Sequence, residues 1–391
     1  MNSICLHNGT ILTGFTTMEN CAILVEDGKI SDVFSEKRFE RKRFGPGTEV
    51  IDVHESAIVP GFIDTHIHGF GGYGTDDYCA ESIIEMSKLL VQYGVTGFNP
   101  TLYPAEPDQM IRVVKEVSSA IGREDGAQIM GLHLEGPFIS PDRLGVMKAN
   151  TVLPVDVNLM EKLWEISEGR IINMTVAPEL KGMRELALFC LKKGIVLQAG
   201  HTNAKYENMV EGMQAGILHC THLFNAMSRL QHRNPNAVGA VLIHPEMSCE
   251  IIADGYHIHP DLYKILLRDK SIDKIVLVTD ALKPTEQAKG PFIANGDELI
   301  FRDGVFHRKD DDVISGSALT MIRGVKNLVK FGFRIEEAVK ASSFNPAQIM
   351  HFRNKGILMP GYDADIVVFD RNFRVLTVVA GGVLKKNLLD D

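Results

Sequence analysis

Cysteine is the first thing this chain is short of. Six are spread irregularly over 391 residues (Cys5, Cys21, Cys79, Cys190, Cys220, Cys249), with no Cys-x-x-Cys pair. That is too few for a disulfide framework in a chain of this length. Cys220, between His219 and His222, reads as a small buried thiol rather than a soft metal ligand. Excess positive charge is missing too: 41 Lys and Arg stand against 50 Asp and Glu, a net charge of −9. The chain has no electrostatic footprint for nucleic acid or an anionic membrane. No uninterrupted apolar run reaches the roughly 18 residues a membrane span needs. The start, MNSICLHNGT, lacks the basic-then-apolar layout of a signal peptide. We therefore expect a cytoplasmic protein with no nucleic-acid or membrane partner. Internal repeats and low-complexity runs are absent as well. GFGGYG, after His68, lies outside the strand–loop–helix setting of a nucleotide-binding loop and reads as flexible.

What is present is an ordinary globular balance, 45% hydrophobic, in a chain too long for one ordinary domain. Pattern divides it into three stretches. Residues 1 to 58 alternate short β-like runs (ICLHNGTIL, AILVEDGKI, TEVIDVHESAIV) with turns. Residues 59 to 352 alternate strand-like runs with helix-like ones such as SIIEMSKLLVQYG, DQMIRVVKEVSSAIG and RELALFCLKKG, each stopping at glycine. This stretch closes on one helical run, EEAVKASSFNPAQIMHF. Residues 353 to 391 return to strands (DADIVVFD, FRVLTVVAGGVL). Repeated strand-then-helix is the sequence form of a parallel barrel. Neither end carries enough apolar residues for a core of its own, so the two ends should pair into one small β-domain beside it.

Chemistry-bearing residues recur at the ends of the strand-like runs. They are His66 and His68 in FIDTHIHG, Glu135 in GLHLEGPF, His201 in QAGHTNA, His222 in CTHLFNAM and Asp280 in VLVTDAL. Parallel barrels build active sites at that end of their strands. Side chains two apart on a strand face the same way, so His66 and His68 can reach one point together. Asp280 is the only charge at the tip of a strand that otherwise reads as fully buried. Each residue alone has a bland reading, a hydrogen-bonded histidine or a capping carboxylate, but their joint order does not. Imidazole and carboxylate ligands suit zinc, and also iron(II) or manganese in a hydrolytic site.

These residues carry a family resemblance. The chain resembles the amidohydrolase superfamily through PGFIDTHIHG and GYDADIVVFD. Through HLEGPF, THLFNAM and ADGYH it resembles, within that superfamily, the N-acetylglucosamine-6-phosphate deacetylases. The resemblance implies a distorted (β/α)8, TIM-like barrel with a small β-sandwich domain formed by both termini. It implies metal-dependent hydrolysis of the acetamide of N-acetylglucosamine-6-phosphate, with Asp280 as base and then acid. Glu135, His201 and His222 match the principal metal site, and His66 and His68 a second one, so one or two divalent ions per subunit are expected, zinc first. Asn225, Ala226, His257, Arg233 and Leu319 match substrate-binding positions, Arg233 reaching across from the other subunit of a homodimer. The alternatives are deacetylation of N-acetylgalactosamine-6-phosphate or another N-acylated compound, or a barrel that binds sugar phosphate without turning it over. One loop departs from the family: RLGVMKAN places Met147 where a carbonyl-polarising histidine is usual. A thioether cannot donate a hydrogen bond. Either a second metal replaces that donor, or Lys148 moves in, or the acyl group and sugar differ. A smaller departure is Asn234-Pro235-Asn236, where Glu-Pro-Gly is usual.

Overall fold

The computed structural model describes residues 3–287 and 289–389. Eight parallel strands form the barrel: Phe62–Ile67, Val95–Leu102, Leu132–Glu135, Ile171–Val176, Val196–Ala199, His219–Cys220, Ser248–Ile252 and Ile275–Val278. Neighbours pair in parallel from the first strand to the eighth. The ring is closed without a regular ladder. The Asp280 amide donates to the His66 carbonyl (2.9 Å), and the His68 and Gly69 amides both donate to the Ala281 carbonyl (2.9 and 3.0 Å). This closure is the distortion in the barrel, and it lies at the strand ends that carry His66, His68 and Asp280.

The helices between strands follow the glycine-punctuated runs. Ala80–Leu90, Pro107–Ser118 and Met183–Lys193 each bury one face, and the last ends on Gly194 at φ 75°, the left-handed cap that glycine adopts at no steric cost. The last helical run breaks in two, Ile335–Ser342 and Phe344–Ile349. Pro346 has no N–H to donate back to Ser342, so one continuous helix cannot form. Ser343 takes the non-helical step at φ −136°, ψ −65°.

Both termini build one eight-stranded sheet. Ser3–Leu12 pairs with Thr17–Glu26, Thr48–Asp52 and Ala57–Pro60, and the last of these pairs with Ile366–Phe369 from the far end of the chain. The C-terminal run FRVLTVVAGGVL is a hairpin, Val375–Ala380 with Val383–Asn387, turning on Gly381 and Gly382 at positive φ. The sheet's core is mostly aliphatic: Ile4, Leu6, Ile11, Ile23, Val25, Ile58, Ile366, Val368 and Val379 pack in one cluster.

Two segments differ from the sequence expectation. GFGGYG is a tight hairpin, Gly69–Phe70 against Tyr73–Gly74, and not a loose loop. Its turn is tied down by Gly71 and Gly72 amides donating to the Thr285 and Lys283 carbonyls (2.7 and 2.8 Å). Between the eighth strand and the helix Met321–Lys330 stands a three-stranded antiparallel sheet, Phe292–Ala294, Asp297–Arg302 and Val305–Arg308. Its turns are Asn295-Gly296 and Asp303-Gly304, all four at positive φ, the dipeptides that favour such hairpins. That signal was legible in the sequence.

Candidate active site

Three of the candidate residues share a local device. His201, His222 and Asp280 each stand two positions past the end of a barrel strand, in the left-handed region (φ 47°, 23° and 49°). Non-glycine residues adopt that conformation at a cost of order 1 kcal/mol or more, and it clusters at functional sites. Here it turns each side chain into the barrel mouth. Glu135 ends its own strand, and His66 sits one residue before the end of the first.

All six converge, and all are buried. Glu135 is the hub. Its Oε1 lies 3.0 Å from His222 Nε2, 3.2 Å from His201 Nε2 and 3.4 Å from His66 Nε2, while Oε2 lies 3.0 Å from His68 Nε2. Asp280 Oδ1 is 3.6 Å from His66 Nε2 and 3.5 Å from His68 Nε2. Three overlapping groups could each hold an ion: Glu135 with His201 and His222, Glu135 with His66 and His68, and His66 with His222 and Asp280.

The donor set fits a divalent metal on two counts. First, His66 Nε2 and Glu135 Oε2 are fully buried, face the cluster and have no hydrogen-bond partner. Orphaned polar atoms in a protein interior call for a missing partner. Second, two of the four histidines have their outer ring nitrogen anchored, so that the inner one can serve as a ligand. His66 Nδ1 lies 2.9 Å from Glu250 Oε2, and His201 Nδ1 donates to the Arg143 carbonyl at 3.0 Å. A carboxylate or carbonyl behind a ligating histidine is the usual second layer of a metal site. Burial raises Glu135 on its own, but His66 and hydrogen bonds from His201 and His222 hold its carboxyl well below the ordinary range. Burial likewise opposes charge on His66, yet Glu135, Glu250 and Asp280 raise it well above its usual value.

The cluster opens into a cavity of about 230 Å³. Its polar wall includes His68, Glu135, His201, His222, Asn225, His257 and Asp280, and its apolar wall Tyr103, Met147, Leu282, Val313 and Ile314. Asn225 and Ala226 are thus both on the wall, Ala226 in the left-handed region at φ 47°. His257 Nδ1 meets Asp254 Oδ2 at 2.6 Å. Burial works against its charge, but that hydrogen bond and the Asp254 charge raise its pKa. Gly145 lies so close to His201 that a side chain there would sit 3.1 Å from its Cε1, and its φ of +57° suits glycine.

Two expected residues are not brought to the cavity within this chain. Leu319 is buried and does not line the cavity, packing instead with Ile252, Val276 and Val278 of the last two barrel strands. Arg233 is exposed in a separate shallow depression with Lys205, Tyr206 and Glu207. Met147 does face the cavity, and it also packs with Tyr103, Leu282, Leu299 and Phe306 of the three-stranded sheet. Lys148 does not move in: its Nζ donates outward to the Asn295 carbonyl at 2.7 Å. Cys220 is a buried thiol that burial pushes well up in pKa.

Sequence reasoning missed Glu250, Asp254 and Tyr103. Tyr103 stacks on the His68 ring at 4.0 Å and 16°. Glu250 interrupts the apolar run of SCEIIA, and a lone carboxylate inside such a strand was its signal.

A closed parallel barrel whose strand ends gather four histidines and two carboxylates defines a metal-dependent hydrolase of the amidohydrolase type. The Amidohydrolase family model matches residues 57–385. The chain is 29% identical to the N-acetylglucosamine-6-phosphate deacetylase of Lysinibacillus sphaericus, covering 98% of both chains. It is 31% identical to the enzyme of that name from Bacillus subtilis, covering 97% of this chain and 96% of that one. Among solved structures, the deacetylase of the same name from Mycobacterium smegmatis, as a variant in complex with N-acetyl-D-glucosamine-6-phosphate, matches with a TM-score of 0.91. That match has 25% identity and covers 99% of this chain and 100% of that one. The chain therefore belongs to the amidohydrolase family and, within it, to the N-acetylglucosamine-6-phosphate deacetylases.

Proposed function

We propose that the protein hydrolyses the acetamide of N-acetylglucosamine-6-phosphate to glucosamine-6-phosphate and acetate. The observation that carries this reading is the convergence of Glu135, His201, His222, His66, His68 and Asp280 on one buried centre at the floor of a cavity. Glu135, His201 and His222 would hold the principal ion, zinc before iron(II) or manganese, with His66 and His68 serving a second. Bound there, a divalent ion supplies Lewis acidity, acidifying water and polarising the carbonyl.

The remaining work falls to side chains of this chain. Asp280 takes a proton from the attacking water and passes it to the departing nitrogen as the C–N bond breaks, so water and amide become acetate and amine. Its Oδ1 faces the centre beside His66 and His68, where both transfers occur. His257, favoured as imidazolium by Asp254, suits the sugar phosphate, with Asn225 and Ala226 on the same wall. Arg233 would add its planar donors from the second subunit of a homodimer. Met147 offers the carbonyl no donor and Lys148 is held away, so neither of these side chains polarises it; a metal held by Glu135, His201 and His222 would supply that polarisation. Residues 59–352 form the catalytic unit in this reading, and residues 1–58 and 353–391 the flanking one. Among the described residues no helix is long and apolar enough to cross a membrane, which accords with a cytoplasmic setting.

The test is amine release by the zinc-loaded protein from N-acetylglucosamine-6-phosphate, its galacto epimer and the unphosphorylated sugar. Turnover of the first, with little of the last, is expected. Preference for the epimer transfers the reading to N-acetylgalactosamine-6-phosphate. No turnover of any of the three overturns it.

A further inference from the structure

The buried carboxylate of Glu250 lies in the middle of the seventh barrel strand, beneath the candidate metal centre, and is fully enclosed. Nothing in the reaction above uses it. Every polar group facing it is a donor. The His222 backbone amide donates to its Oε2 (3.3 Å), and the side-chain amide of Gln198 donates to its Oε1 (2.8 Å).

The direction of the Gln198 bond is fixed from further down the barrel. Asn173 Nδ2 faces the Thr65 carbonyl at 3.3 Å, and a backbone carbonyl only accepts. Asn173 therefore presents its amino group, which also donates to Gln198 Oε1 at 2.6 Å. Gln198 is left with its own amino group toward Glu250 and the Thr221 hydroxyl (3.0 Å). Glu250 thus accepts on both oxygens, and its Oε2 lies 2.9 Å from His66 Nδ1. The proton in that contact belongs to His66 Nδ1, which leaves His66 Nε2, an atom with no hydrogen-bond partner, aimed at Glu135 and Asp280.

We infer that Glu250 is a positioning residue for the metal centre. Through its Oε2 it fixes the ring of His66 and, at the same atom, the backbone of His222, which sits at the strained φ of 23°. His66 belongs to one potential ligand group with His68 and Glu135, and His222 to another with His201 and Glu135. One carboxylate therefore registers both halves of the centre. His219 Nε2 stands 3.8 Å from Glu250 Oε1, beyond hydrogen-bond range, and adds only electrostatic support.

The inference rests on the proposed metal site, and its test separates the two. In Glu250→Gln the shape is kept, but one oxygen becomes a donor within a shell made of donors. Zinc affinity by chelator competition should fall about 10- to 100-fold, the usual effect of removing such a partner, with thermal unfolding of the metal-free protein little changed. Independently of metal, the His66 Nδ1 proton should give an exchange-protected, downfield NMR resonance in the metal-free parent. That resonance should move upfield in Glu250→Gln and vanish in Glu250→Leu. Unaltered zinc affinity together with an unaltered resonance in Glu250→Gln overturns the assignment. If the parent binds no zinc, the metal reading fails, while the resonance still decides whether Glu250 holds His66.

Discussion

The terminal sheet and the barrel interior bury side chains of opposite kinds. The sheet's core is apolar and mostly aliphatic, from Ile4 and Leu6 to Ile366, Val368 and Val379, with a smaller cluster around Phe34. Inside the barrel the buried residues include Asp64, His66, Asn99, Thr101, His133, Asn173, Thr175, Gln198, Thr221 and Glu250. These are joined by hydrogen bonds: Thr101 and Thr175 hold the two nitrogens of His133, Asn99 bonds Asn173, and Thr279 bonds Asp64. Burying polar groups is unfavourable unless they are paired, so this network is not the cheapest way to fill a barrel. The comparison teaches that the sheet supplies stability through apolar area, whereas the barrel interior spends stability on orienting ligands.

The largest effect expected from breaking this comparison is on chemistry. Asp280→Asn should lower kcat for the phosphorylated sugar by about 10²- to 10⁴-fold while leaving zinc binding nearly intact. Parent-like turnover would mean that Asp280 is structural. The sheet should show the converse. Ile366→Ala should cost about 2–5 kcal/mol in urea unfolding, with kcat unchanged where the protein remains folded. A fall in kcat there would couple the two regions.

A smaller effect concerns pH. Asp254 raises the pKa of His257 above its ordinary 6.5, against the opposing effect of burial. The imidazolium is therefore complete below 6.5 and is lost as pH climbs through the raised value. KM for the phosphorylated sugar should rise across that higher window, and in Asp254→Asn the rise should begin at lower pH. A pH profile unchanged by the variant would remove His257 from phosphate recognition. The smallest effect belongs to Met147→Leu, which keeps the volume and the lack of a donor. Stability should change by less than about 1.5 kcal/mol and kcat by less than a few-fold. A large loss of kcat would show that the thioether has a role that its apolar packing does not explain.

The strand-then-ligand order of His66, His68, Glu135, His201, His222 and Asp280 was visible because each stands at the end of an apolar run, a local signal. The helices were visible because glycine stops them. The split at Ser343 was missed, although Pro346 announces it, and so was the three-stranded sheet, although its Asn-Gly and Asp-Gly turns were in plain view. Glu250 escaped because its partners are 184 residues away at His66 and 52 away at Gln198.

By itself the sequence determined the alternation that makes a barrel, the pairing need of two small apolar ends, and which side chains could do chemistry. Periodicity and turn chemistry act over a few residues, so they can be read along the chain. Only the tertiary structure decided that Glu135 stands at the hub, that Lys148 points outward, that Leu319 does not line the cavity, and that Glu250 reaches both His66 and His222. Those facts depend on barrel closure, which brings strands far apart in sequence within hydrogen-bond distance, and no local pattern encodes that register.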